Sequence, residues 1–399
     1  MKINIYGTKA SALKFISRNV DVSINAFIDG KVDNDGNISV FFPFFNRKIR
    51  VFPHNQAKDV LSSFYTVVAT SEATYWEIKS KLENDYNLKE FENFEYYKTF
   101  RKKIALIYGN CHCIVIKEML QTSAQFESVY GFYPLKAICD SKLHSNPEYY
   151  LASSLIKRAS LVIHQCIRKN NYYGELYSSE NFLRSINPSC KIIGIPNLFG
   201  LPKFLFPQYL LSDWNKKWGG DLFCGLNYFP CRDRYIDYYH SVKSTSDLVN
   251  MIMSDDFIPS RKVMILKEEF DQKINEREKD WDIKISDFIR NNLKNIKLFY
   301  DPYHPTNELL SYISNRILEK LFSSHYTNIL YDNKMILNSE EIPVYSSVKK
   351  ILGLTCYTDE HIRLGCSTKI SSCPMDTEQY IKEYLWWYYG TDTLNLQNN

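Results

Sequence analysis

The chain has 399 residues, enough for two domains of ordinary size and too many for one small core. Its 45% apolar and 24% charged residues give the balance of a folded, soluble protein. A net charge of +4 without a long basic run argues against nucleic-acid binding by bulk electrostatics. Aromatic content is high at 15%, which suits generous cores and also a groove where rings stack on a sugar or nucleotide. The N-terminus enters a strand pattern without the apolar stretch of a signal peptide, and no apolar run reaches the roughly 18–20 residues of a membrane span, so a cytoplasmic protein is expected. Ten cysteines (111, 113, 139, 166, 190, 224, 231, 356, 366 and 373) are expected as free thiols there. Cys111-His112-Cys113 has no second close pair at a zinc-ribbon spacing, so no metal is expected.

In chain order, residues 2–6 read as a strand, Ala10 to Arg18 as a helix, and Ile24 to Ile28 as a second strand ending in Asp29-Gly30. A turn-rich segment at 33–37 precedes a strand at 49–52 closed by Pro53 and another at 66–70, with helical periodicity from Tyr75 to Tyr86. Strands alternating with helices predict a parallel sheet, and residues 1–100 are expected to form a small Rossmann-like domain. Gly7-Thr8 stands at the phosphate-loop position, and Asp29, about 22 residues beyond Gly7, stands where an acid would meet a ribose hydroxyl. The second and third glycines of G-x-G-x-x-G are missing, so NAD binding is not expected. A degenerate domain for nucleotide-sugar binding or assembly fits better.

A basic cluster at 98–103 marks the boundary, after which the pattern restarts. Ile104 to Tyr108 reads as a buried strand, Gly109-Asn110 as a turn, and Cys111 to Thr122 as a helix. Strands at 161–164 and 191–195 follow, then a charged amphipathic helix, single or double, over 267–296, a strand-like 296–300, and a helix from Asn307 to Leu321. The fold class is α/β: a small Rossmann-like domain (1–100), a larger α/β domain with helical elaborations (101–330), and a C-terminal extension (331–399) packed on the second domain.

Strand–Gly-Asn-Cys–helix is the strongest local signal. Ligands of open parallel sheets sit at the carboxyl ends of strands, and the N-terminus of a helix stabilises a negatively charged sulfur there. Gly109 would permit a tight turn, Asn110 could aim an amide, and backbone N–H groups could receive an oxyanion. Asp301-Pro302-Tyr303-His304-Pro305 can let Asp301 fix the tautomer of His304 and leave the other ring nitrogen as a base; the same stretch also reads as a helix start capped by Thr306. His164, Gln165 and Asn197, on two further strand ends, are candidate oxyanion or substrate ligands, or plain loop residues.

The set Gly109-Asn110-Cys111, Val162-Ile163-His164-Gln165, Ile195-Pro196-Asn197 and His304-Pro305-Thr306, in that order, resembles the WcbI-type polysaccharide biosynthesis family over roughly residues 104–320. The resemblance implies a variant of the SGNH-hydrolase fold, binding of coenzyme A or acetyl-CoA, and acetylation of a bacterial capsule or other surface sugar. It places Cys111 as nucleophile and Asp301 and His304 as the Asp-x-x-His element. His112 departs from the glutamine usual after the cysteine, and could be a second base or a preserved donor. The expected function is acetyl-CoA-dependent O-acyltransfer to a glycan. Alternatives are a glycan O-acyl esterase and a non-catalytic CoA- or nucleotide-sugar-binding component of polysaccharide assembly. Expected partners are an acyl-CoA and a sugar acceptor, with self-association or association with assembly enzymes left open.

Overall fold

Apolar residues dominate the first strands: β1 (Lys2–Tyr6) buries all but its first residue, and β2 (Ser23–Asp29) buries Ile24 and Ala26 to Ile28. With β3 (Ile38–Phe42), β4 (Arg47–Pro53), β5 (Thr66–Val68) and β6 (Phe94–Tyr96) they form a six-stranded sheet in the order β3-β4-β2-β1-β5-β6. Every pairing is parallel except β3 with β4. Helices α1 (Ala10–Arg18), α2 (Lys58–Ser63) and α3 (Glu72–Tyr86) supply the crossovers that parallel strands require. This computed structural model describes residues 1–7, 10–30, 38–42, 47–171, 173–198, 200–210, 232–323, 327–329, 341–358, 362 and 375–389. The turn-rich stretch 33–37, Thr8, and Cys224, Cys231, Cys366 and Cys373 lie outside them.

A second sheet, all parallel, has the order β10-β9-β7-β8, from β7 (Lys103–Tyr108), β8 (Tyr130–Phe132), β9 (Leu161–Gln165) and β10 (Lys191–Ile195). β9 is buried throughout, and β7 and β10 are buried toward their carboxyl ends, on both faces as a parallel sheet demands. Leu106, Tyr108 and Val162 face Tyr75, Trp76 and Leu82 of α3 in one continuous core, so the two sheets are packed together. Trp76 Nε1 donates to the Pro134 carbonyl at 2.8 Å across that junction. Ala105, Ile107, Ile163 and Ile193 face the other way, toward α4 (Cys111–Thr122) and the helix Asn307–Phe322. Tyr345, Val348, Tyr380 and Tyr384 of the C-terminal segment join this same core. No helix of the described residues is long and apolar enough to cross a membrane.

One expected element resolves into the second of its two forms, and another differs. The charged stretch 267–296 splits into helices Ser260–Arg277 and Ser286–Asn292, because Trp281, Ile283 and Ile285 between them turn into the core. Glu278, buried at the break, accepts from the backbone N–H groups of Ile285 and Ser286. Residues 296–300 form no strand but one bridge, Phe299 with Pro305. Prolines at 302 and 305 lack the N–H groups a ladder needs, and the chain folds straight back, Tyr300 N–H to His304 carbonyl at 2.9 Å.

Candidate active site

Two helices bring the site together. The helix Asn307–Phe322 lies against α4, with the Ser314 hydroxyl 3.6 Å and the Ser311 hydroxyl 3.7 Å from the Met119 sulfur. Cys111 is the first residue of α4, and His304 stands three residues before the other helix begins. Both N-terminal ends meet at the carboxyl edge of the second sheet, so residues nearly two hundred positions apart converge.

The Asp301 carboxylate is fully buried and accepts three hydrogen bonds. Oδ1 takes the Tyr303 N–H at 2.6 Å and the His304 N–H at 2.8 Å, and Oδ2 takes His304 Nδ1 at 2.6 Å. With Nδ1 so engaged, Nε2 is the nitrogen left to the Cys111 thiol, which interacts with the ring. Burial works against a charged ring, but the Asp301 carboxylate, its hydrogen bond, and the Cys111 sulfur outweigh it and hold the His304 pKa well above 6.5. Thr306 begins the following helix without capping it: its hydroxyl donates to the Lys297 carbonyl at 2.8 Å and closes the loop instead.

His112 is buried and bridges the two halves. Its Nε2 donates to the Tyr303 carbonyl at 2.7 Å, and its Nδ1 accepts from Gln165 Nε2 at 3.3 Å. Burial, then the neighbouring His304 charge, pushes its pKa down to about 3, so the ring is neutral and both nitrogens are occupied. His112 is therefore a brace on the His304 loop and not a second base.

Gln165 is equally committed. Oε1 accepts the Asn110 N–H at 2.7 Å while Nε2 serves His112 and, at 3.4 Å, the Pro196 carbonyl. Its amide hydrogens have no spare capacity for an oxyanion, so Gln165 frames the site from below. Gly109 is required for a reason other than turning: its φ is not positive, but an added Cβ would lie 2.4 Å from Gln165 Oε1 and 2.5 Å from the Cys113 sulfur.

The helix terminus is also more occupied than the sequence suggests. Asn110 Oδ1 caps the His112 N–H at 3.0 Å, the Cys113 N–H goes to the Asn110 carbonyl at 3.0 Å, and the Cys111 N–H meets the Cys139 sulfur. What remains is Asn110 Nδ2, a donor without a hydrogen-bond partner among the described residues. Cys139, unmarked by any sequence signal, sits beside Cys111; burial and then the Cys111 sulfur push its thiol up to about 12. Burial likewise raises Cys113, so neither neighbour competes as a nucleophile near neutral pH.

The loop after β10 completes the enclosure, with the Gly200 N–H donating to the Pro302 carbonyl at 2.9 Å. Asn197 lies on this loop, and Arg277 reaches its carbonyl at 3.4 Å. His164 does not join the site: it alternates with Gln165 along β9, points to the opposite face, and is held uncharged by burial. Gly7 and Asp29 sit at strand ends of the first sheet, apart from Cys111. Gly7 has φ +117° and a Cβ there would meet the Ala69 carbonyl at 2.6 Å, so the position admits only glycine. Among the described residues no group of three or more His, Cys, Asp or Glu side chains could hold a metal ion.

The site can therefore supply a thiol nucleophile, an imidazole oriented by a buried carboxylate, and one amide donor. Comparison with known proteins identifies a family. The model of the WcbI family, described as polysaccharide biosynthesis enzymes, matches residues 104–324, which span β7 through the helix after His304. A solved WcbI structure is similar at a TM-score of 0.55 and 18% identity, over 72% of this chain and 90% of that one. It is described as a novel polysaccharide biosynthesis enzyme, in a native form without a disulfide bond between CoA and one of its cysteines. No curated protein matches the chain. With the family's match covering more than half of its length, this chain belongs to the WcbI family of polysaccharide biosynthesis enzymes.

Proposed function

We propose that the chain is an O-acyltransferase that moves an acetyl group from acetyl-CoA to a sugar hydroxyl of a bacterial capsule or other surface glycan. The observation that carries the reading is the Cys111–His304–Asp301 relay, with Nδ1 of the ring on a buried carboxylate and the ring interacting with the thiol. The CoA named with the similar structure supports a thioester donor.

In this reading the Cys111 sulfur attacks the thioester carbonyl, and its proton rests on His304. Asn110 Nδ2 donates to the oxygen as negative charge develops on it. The proton on His304 passes to the departing CoA thiolate. The sugar hydroxyl then gives its proton to His304 as it attacks the acyl-enzyme and releases Cys111. Asp301 holds the imidazole in one tautomer through both steps. Residues 101–330 are proposed as the acyltransferase domain, with an SGNH-like arrangement of strand-end loops. Residues 1–100 are proposed as a Rossmann-like nucleotide-sugar or assembly domain, with Gly7 and Asp29 at its strand ends.

Mass spectrometry of the protein mixed with acetyl-CoA tests the reading. An increase of roughly 42 Da, absent in Cys111→Ala, is the expected result. If Cys111→Ala and His304→Ala both leave glycan acetylation intact in cells, the proposal fails.

A further inference from the structure

Arg277 is the last residue of its helix, and its guanidinium is half-buried at the carboxyl edge of the second sheet. It donates one 3.4 Å hydrogen bond to the Asn197 carbonyl and makes no ion pair among the described residues. Arg168 follows β9 on the neighbouring strand end and is exposed. Its nearest carboxylate is Glu276, at 3.8 Å, too long for a hydrogen bond. Since Glu276 adjoins Arg277, the two guanidinium groups share one corner of the site; burial and then the nearby Arg168 charge lower the Arg277 pKa, while Glu276 opposes them. A guanidinium carries five N–H donors, so the pair has far more donors than the structure satisfies. Glu276 supplies one carboxylate to two guanidinium groups, so one positive charge of this partly desolvated corner is left for a bound anion to balance.

Position strengthens the point. The strand order is β10-β9-β7, with Arg168 after β9, the Asn197 carbonyl contacted by Arg277 after β10, and Cys111 after β7. Along the edge, the loops that carry Arg168 and Asn197 leave the sheet one and two strands away from the strand that leads to Cys111. Other carboxylates nearby are directed elsewhere: Asp282 accepts from the Gly194 N–H at 2.7 Å and from Lys320 at 2.6 Å. Lys169, next to Arg168, is paired with Glu180 at 3.0 Å.

We infer that Arg168 and Arg277 form an anion subsite that grips the diphosphate of a ligand whose reactive end lies at Cys111. The inference rests on the acyl-transfer reading for the identity of that ligand. A diphosphate could belong to CoA or to a nucleoside-diphosphate sugar, and the chemistry of the two arginines suits both.

Isothermal titration separates the possibilities, using acetyl-CoA, S-acetylpantetheine (which has no phosphate) and UDP-glucose against the full chain and its Arg168→Gln, Arg277→Gln and double variants. Arg168 is exposed, so its variant keeps the test alive should Arg277→Gln fold poorly. The expected result is a loss of about tenfold or more in acetyl-CoA affinity for the double variant, with a shallower salt dependence and unchanged S-acetylpantetheine affinity. Unchanged acetyl-CoA affinity in all three variants overturns the subsite and leaves acyl transfer standing. If the arginine variants weaken UDP-glucose binding while neither thioester binds or acylates the protein, the subsite stands and the acyl-CoA reading falls. Binding of no phosphate-bearing ligand by the unaltered chain overturns the subsite as well.

Discussion

Gly109→Ala tests how closely the site is built. The new methyl group would lie 2.4 Å from Gln165 Oε1 and 2.5 Å from the Cys113 sulfur, both inside any tolerable contact. The Gln165 amide cannot swing aside freely, because it holds the Asn110 N–H and the His112 ring. Overpacking a core position costs about 1–3 kcal/mol. Releasing the buried Asn110 N–H from its acceptor adds about 1–3 kcal/mol more. A destabilisation of about 2–6 kcal/mol is therefore expected, read as a lower urea midpoint at unchanged slope. Cys111 lies two residues on, so its alkylation by iodoacetamide should change as well. A double-mutant cycle adds discrimination: with Gln165→Ala the clash loses its main partner, and the double variant should cost less than the sum of the singles. Should Gly109→Ala unfold at the original midpoint, or the cycle prove additive, the packing argument is wrong.

Other outcomes can be checked in the same way. Asp301→Asn should lower glycan acetylation by about two to four orders of magnitude, measured with radiolabelled acetyl-CoA, because the ring loses its fixed tautomer and its charge partner. His112 should make the fold acid-sensitive. Its pKa falls from 6.5 unfolded to about 3 folded, so its contribution is complete above pH 6.5 and disappears as the pH falls toward 3. That shift corresponds to on the order of 4–5 kcal/mol, and His112→Gln should flatten the acid limb of a urea-midpoint titration. His304 acts in the other direction: its folded pKa is raised, so its contribution is complete below 6.5 and is lost as the pH rises through the folded value. His304→Gln should therefore flatten the alkaline limb. Acetyl-CoA at 100 times its dissociation constant should add about 2.7 kcal/mol of stability, seen as a thermal shift.

Much of this was legible in the residues. The helix limits Ala10–Arg18 and Cys111–Thr122 and the strand Lys191–Ile195 follow from apolar runs and periodicity. The convergence of Cys111 with His304 was expected from a strand end on each side; the structure has a strand before Cys111 only, and His304 arrives on a proline-braced loop. The three-residue strands β6 and β8 are too short to show a period. The stretch 296–300 looked like a strand because its apolar residues alternate, yet no neighbour pairs with it beyond one bridge. Side-chain amides were the other gap. Gln165 and a donor facing substrate look alike in sequence, and only its three partners reveal a framing role. The same holds for Gly109, where space and not backbone angle decides.

The helix that presents Cys111 is anchored from behind by the other sheet. Lys117 of α4 pairs with Glu72 at the start of α3, and Glu72 also reaches Lys98 in the link between the sheets. Leu106 and Tyr108, one turn upstream of the thiol, rest on α3 side chains. A fragment trimmed at the basic link would leave a charged lysine and an apolar strand face bare beside the Cys111 segment. The first hundred residues thus act as a foundation for that segment, which is not a portable cassette.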